Sequence, residues 1–162
     1  MTNPIRPTDD DARRLARTLI AEARFGAIAV LGDDGAPLVT RIAIARDQAG
    51  APITLISSLS QHTQALSQRP HCSLLVGEPG EKGDPLTHPR LTIQADAVFV
   101  ERPSQEHDAL RDHYLTQVPK AKLYIDFGDF SLVQLVPREA FLNGGFGKAY
   151  TLTAADLQPA AP

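Results

Sequence analysis

Phe25-Gly26-Ala27-Ile28-Ala29-Val30-Leu31-Gly32-Asp33-Asp34-Gly35 is the stretch that decides the fold. An apolar run of strand length ends in four residues that tolerate the positive φ of a tight hairpin, so the chain folds back on itself here. It returns as a second strand, Leu38 to Arg46, turns around Asp47 to Gly50, and makes a third, Ile53-Thr54-Leu55-Ile56-Ser57. Three turn-linked runs of this kind predict an antiparallel meander. Upstream, Thr8 and the aspartates Asp9 to Asp11 read as a helix cap with an acidic first turn. Ala12, Leu15, Ala16, Leu19 and Ala23 then recur at helical spacing, which predicts a helix over residues 9–24.

Downstream, Ser60 opens a short helix to about Arg69, Pro70 stops it, and Cys72 to Val76 makes a fourth strand. A Pro/Gly-rich loop follows from Pro79 to Pro89. Leu91 to Val100 alternates long enough for a strand that serves both ends of a barrel, and Pro103 with a capping Ser104 opens a helix over residues 104–115. Phe130 to Val136 is the sixth strand, Gly144-Gly145-Phe146-Gly147 bends the chain, and the Ala/Pro-rich end from Ala154 reads as frayed. Six short strands interrupted by helices after the third and fifth predict a mainly β (α+β) fold, a six-stranded split β-barrel with flanking helices. No βαβ alternation supports a Rossmann sheet. One domain over residues 1–153, with a tail over 154–162, is the expected organisation.

At 162 residues with 43% hydrophobic side chains the chain carries one core's worth of apolar material. A formal charge of −3 offers no basic field for nucleic acid, and no run of like charges marks a membrane patch. The single cysteine, Cys72, has no partner for an internal disulfide. Aspartates stand where a secretory leader needs an apolar stretch, and no segment is long enough to span a bilayer, so the cytoplasm is the expected compartment. The five histidines at 62, 71, 88, 107 and 113 share no zinc-like spacing with Cys72, and no metal site is expected. There is no Gly-x-Ser-x-Gly elbow, and no carboxylate pair points to hydrolysis.

Chemistry concentrates at Ser57-Ser58-Leu59-Ser60-Gln61-His62-Thr63, where a strand end meets a helix start. Unpaired N–H groups and the positive end of the helix dipole make such a place a natural phosphate seat; the plainer reading is that Ser60 caps the helix and the rest is polar surface. Arg41, set in the apolar run Leu38 to Ile44, is either a bidentate phosphate clamp or an outward-facing arginine on a barrel wall. Strands two and three are consecutive, which allows Arg41 and Ser57 to converge at one barrel end.

Six segments occur in order: Ala23-Arg24-Phe25-Gly26-Ala27, the 57–63 turn, Ser73-Leu74-Leu75-Val76, Pro89-Arg90-Leu91-Thr92, Asp126-Phe127-Gly128-Asp129-Phe130 and Gly144-Gly145-Phe146-Gly147. Over residues 10 to 150 they make the chain resemble the pyridoxamine 5'-phosphate oxidase-like FMN-binding split β-barrel family, in its haem-utilisation (HugZ-like) branch. The resemblance implies a homodimer with two FMN sites at the interface. The FMN phosphate would be held by Arg41 on strand two and by Ser57, Ser58, Gln61, His62 and Thr63, Ile42 would join the cofactor site, and Arg90 and Leu91 would approach the flavin. The function it implies is an FMN-dependent oxidoreductase acting on a small-molecule substrate or electron acceptor. The alternatives are a haem-associated or flavin-binding protein with no turnover of its own, and a dimeric scaffold that has lost its flavin. No catalytic residue is assigned. The only Arg-x-His triplet, Arg111-Asp112-His113, lies within a predicted helix, so vitamin B6 oxidation is not expected. No histidine follows His113, and haem is accordingly expected to bind weakly, without a histidine-ligated spectrum.

Overall fold

The hairpin forms as predicted in the computed structural model, which describes residues 3–159. Strands β1 (Phe25–Leu31) and β2 (Pro37–Ala43) pair antiparallel with Ala27 opposite Arg41. Gly35 takes φ 79° in the turn, a conformation that a side chain disfavours. The predicted second strand is two: the ladder breaks at Ile44 and resumes as β3 (Ala45–Arg46), which pairs with β4 (Pro52–Ser57). The Thr54 hydroxyl donates to the Ala43 carbonyl at 2.7 Å and ties β4 to the end of β2.

Strands β5 (His71–Val76), β6 (Arg90–Phe99), β7 (Phe130–Asn143) and β8 (Ala149–Thr153) complete one curved antiparallel sheet of order β2-β1-β5-β6-β7-β4-β3, with β8 paired to β7. Eight strands thus stand where six were predicted. β7 runs past Val136 because a register shift between Gln94 and Ala95 sets Ala95 opposite Pro137, a place where the missing proline N–H does no harm. The glycine bend at 144–147 reverses the chain into β8, and Thr153 and Asp156 form a reciprocal capping box that starts the short helix α4 (Ala154–Leu157). Ordered structure therefore extends beyond Ala154, with Leu157 buried; the last three residues of the predicted tail lie outside the described residues.

Helix α1 (Asp10–Glu22) is capped by Asp9, whose carboxylate accepts from the Ala12 N–H at 2.8 Å. Thr8, the predicted cap, instead donates to the Thr151 carbonyl on β8. Ala12, Ala16 and Ile20 of α1 join Ile28, Leu74, Leu91, Ile93, Leu135 and Leu142 in the barrel core, with Ala65 and Leu66 from α2 (Gln61–Gln68). A second cluster forms where α3 (Gln105–Gln117) and a 3-10 turn at Pro119–Leu123 cover Ile53, Leu55 and Leu132. Strand β4 is buried on both faces as a result, which fixes where the chain emerges at Ser57. Among the described residues no helix is long and apolar enough to cross a membrane.

Candidate functional site

At the end of β4 the Ser57 hydroxyl donates to Asp129 Oδ2 at 2.6 Å and accepts from the Leu59 N–H at 3.2 Å. The Ser58 N–H donates to the Asp129 carbonyl at 2.8 Å, and the Thr63 and Gln64 amides both return to the Ser60 carbonyl. Ser60 sits at the N-cap of α2 but its hydroxyl caps nothing. Much of the donor set that a phosphate would use is therefore taken internally, and a carboxylate borders the turn. Thr63 Oγ1, buried on α2, has no partner among the described residues. His62 lies half-buried with Nδ1 2.9 Å from Thr40 Oγ1, and burial holds its pKa below the ordinary value of 6.5. Gln61 and Ser58 are exposed.

Among the described residues no hydrogen bond or ion pair joins Arg41 to this turn, although its neighbour Thr40 meets His62. Alternation along β2 turns Thr40 inward and Arg41 outward, where the guanidinium carbon lies 5.2 Å above the Phe25 ring. Ile42 and Leu91 are core residues, 4% and 0% exposed. Arg90 donates to the carbonyls of Leu86 and His88 and holds the loop that precedes β6. The nine predicted residues thus divide among a closed turn, an outer wall, a loop brace and the barrel core.

Sequence reasoning missed the outer face itself. Across the sheet, one row reads Arg41, Ala27, Leu75, Thr92, Phe141 and Thr151. Four residues further along β5 and β6, beyond a more polar row, His71 faces Asp96, which faces Val136; continuing the β1–β5 register brings Leu31 beside His71. The His71 Nδ1 to Asp96 Oδ1 distance is 2.5 Å, and Arg138 Nε lies 3.5 Å from the same oxygen. The outward position of Asp96 was legible in the alternation of β6, but its partner was not.

A family model described as CREG, beta-barrel, matches residues 7–157. The chain is 36% identical over 137 residues to the chloroplastic heme oxygenase HOZ of Arabidopsis thaliana, covering 79% of this chain and 41% of that protein. It is 29% identical over 136 residues to the heme oxygenase HutZ of Vibrio cholerae, covering 80% of this chain and 74% of that one. A solved heme binding protein from Mycobacterium smegmatis superposes with a TM-score of 0.82 at 30% identity, over 94% of this chain and 61% of that chain. The chain spans well under half of the plant relative's length. These relatives correct the expected cofactor: their ligand is haem, and FMN is withdrawn, in keeping with a 57–63 turn closed by Asp129 and an arginine that faces the other way. With its model matched over nearly the whole described length, the chain belongs to the CREG β-barrel family.

Proposed function

We propose that this chain binds haem and serves in haem turnover. The observation that carries the reading is the composition of the outer sheet face: large apolar side chains stand exposed there among guanidinium groups. Leu31, Val98 and Val136 are 39%, 45% and 45% exposed at one end of the wall. Arg69 donates to the Gly32 carbonyl beside Leu31, and Arg138 stands next to Asp96. Haem is a flat apolar ring with two carboxylates at one edge, so an apolar plane bordered by forked cations suits it. The kinship with heme oxygenases supports the same ligand. Haem supplies the iron chemistry once bound, with electrons and dioxygen from outside the chain; the protein's part is to bind and orient the ring. Titration of the purified chain with ferric haem should shift the Soret band and saturate at one haem per chain. A Soret band that stays that of free haem would remove this reading.

The row of Ala27, Leu75 and Phe141, with Phe25 beside it, supports a second copy of the chain on the same wall, since Leu75, Phe141 and Phe25 are each 40% exposed or more. Light scattering should give the mass of two chains in dilute solution, and a monomer mass independent of concentration would count against it.

A further inference from the structure

An imidazole binds a metal only through a nitrogen lone pair, and the partner of its other nitrogen decides whether that lone pair is free. The five histidines differ sharply on this point. His88 accepts the Gly80 N–H at Nδ1, so its proton sits on Nε2 and is given to the Lys82 carbonyl at 2.8 Å; no lone pair remains. His107 is 5% exposed at the start of α3. His113 lies on α3, which packs over β4 rather than on the apolar end of the outer wall. His62 faces a threonine hydroxyl, which can donate or accept, and so leaves its tautomer open. His71 faces a carboxylate, which only accepts, so Nδ1 carries the hydrogen, and Nε2 has no hydrogen-bond partner among the described residues on a side chain 62% exposed.

We infer that His71 Nε2 is the axial ligand of the haem iron, on the outer face of the sheet, an assignment that rests on the haem-binding reading above. Asp96 fixes the tautomer and the ring orientation, while Arg138 lies beside the carboxylate. Leu31, Val98 and Val136 border the pair and offer the ring its apolar contact. Among the described residues no three His, Cys, Asp or Glu side chains cluster to hold a bare ion, whereas a porphyrin brings four nitrogens of its own and asks for a single imidazole.

The test titrates the wild type, His71→Ala, His62→Ala and Asp96→Asn with ferric haem, read by absorption and resonance Raman. Metal-free protoporphyrin IX is titrated in parallel by fluorescence. The wild type should show a nitrogen-ligated spectrum that His62→Ala keeps and His71→Ala loses, with free imidazole restoring it. Asp96→Asn should keep the ligation, lower the iron–histidine stretch of the chemically reduced, ferrous complex and weaken haem by roughly tenfold; His71→Ala should weaken it more. Protoporphyrin, having no iron, should bind the wild type and His71→Ala alike. A wild-type spectrum in His71→Ala, or its loss in His62→Ala alone, overturns the ligand assignment and leaves haem binding standing. Failure of the wild type to bind either haem or protoporphyrin overturns the haem reading itself.

Discussion

Leu91 and Leu75 are leucines on adjacent strands, yet the first is fully enclosed and the second is 44% exposed. The pleat sends Leu91 into the barrel with Val76 and Leu142, and Leu75 onto the outer wall beside Ala27 and Thr92. The same alternation parts Thr40 from Arg41 on β2 and Ala95 from Asp96 on β6. The inner face is set by packing, and Thr40 and Thr54 there find partners within the fold, His62 and the Ala43 carbonyl. Groups on the outer face keep free valence, and the candidate ligand is therefore sought there.

The widest test of this contrast is a matched pair of truncations. Leu91→Ala leaves a cavity inside the barrel and should cost about 2–5 kcal/mol, while Leu75→Ala should stay under about 1 kcal/mol. Urea unfolding of both variants measures the difference, and equal losses would mean that a second copy buries Leu75 as deeply as the barrel buries Leu91. Next in size is the turn. Asp129→Ala removes the acceptor of the part-buried Ser57 hydroxyl and should cost about 1–3 kcal/mol. Asp96→Asn, on the exposed wall, should move the unfolding midpoint by no more than about 0.5 kcal/mol in the absence of haem. A large loss from Asp96→Asn would make the His71 pair structural rather than ligand-directed.

What could be read beforehand follows the range of the interactions. The 25–43 hairpin rests on adjacent residues and turn chemistry, and it was legible. His71 meets Asp96, and Ser57 meets Asp129, only because distant strands and loops are brought together, and no local pattern announces such pairs. β7 beyond Pro137 was hidden because the bulge that accommodates the proline involves a second strand, β6. Asp9 displaced Thr8 as the cap because the Thr8 hydroxyl is drawn to β8, a strand that the glycine bend concealed. The family was legible in six short motifs taken together. The ligand was not, since the 57–63 motif specifies a turn that closes on Asp129.

His62 tests the inner face through pH. Burial disfavours its charged form, so its folded pKa lies below the unfolded value of 6.5. Below 6.5 the unfolded chain takes up the proton first, and stability falls as pH drops from about 6.5 to the folded pKa, then stops changing on this account. His62→Gln should flatten that segment of a urea-midpoint profile. Asp156 and Asp126, both lowered chiefly by hydrogen bonds from arginines, act separately, since their stabilisation is present above the carboxylate value of 3.8 and is lost at lower pH. A profile for His62→Gln parallel to that of the wild type through pH 6.5 would mean that His62 titrates as though exposed.

The effect at Arg41 is also small, and it separates the two faces most cleanly. Were its guanidinium turned inward, deleting it would repair a buried charge or break a buried pair, and the change would be several kcal/mol in one direction or the other. Outward, it has the Phe25 ring 5.2 Å away, on a side chain itself 40% exposed. A cation over an exposed ring is worth about 0.5–1 kcal/mol, so Arg41→Ala should lower stability by no more than that. A double-mutant cycle with Phe25→Leu isolates the contact: the coupling should account for most of the Arg41→Ala loss and persist in moderate salt. A coupling near zero would leave the arginine as a solvated side chain on the wall, with the outward placement intact. A loss above about 2 kcal/mol would contradict the alternation of β2 itself, and with it the division of the sheet into a packed face and an exposed face.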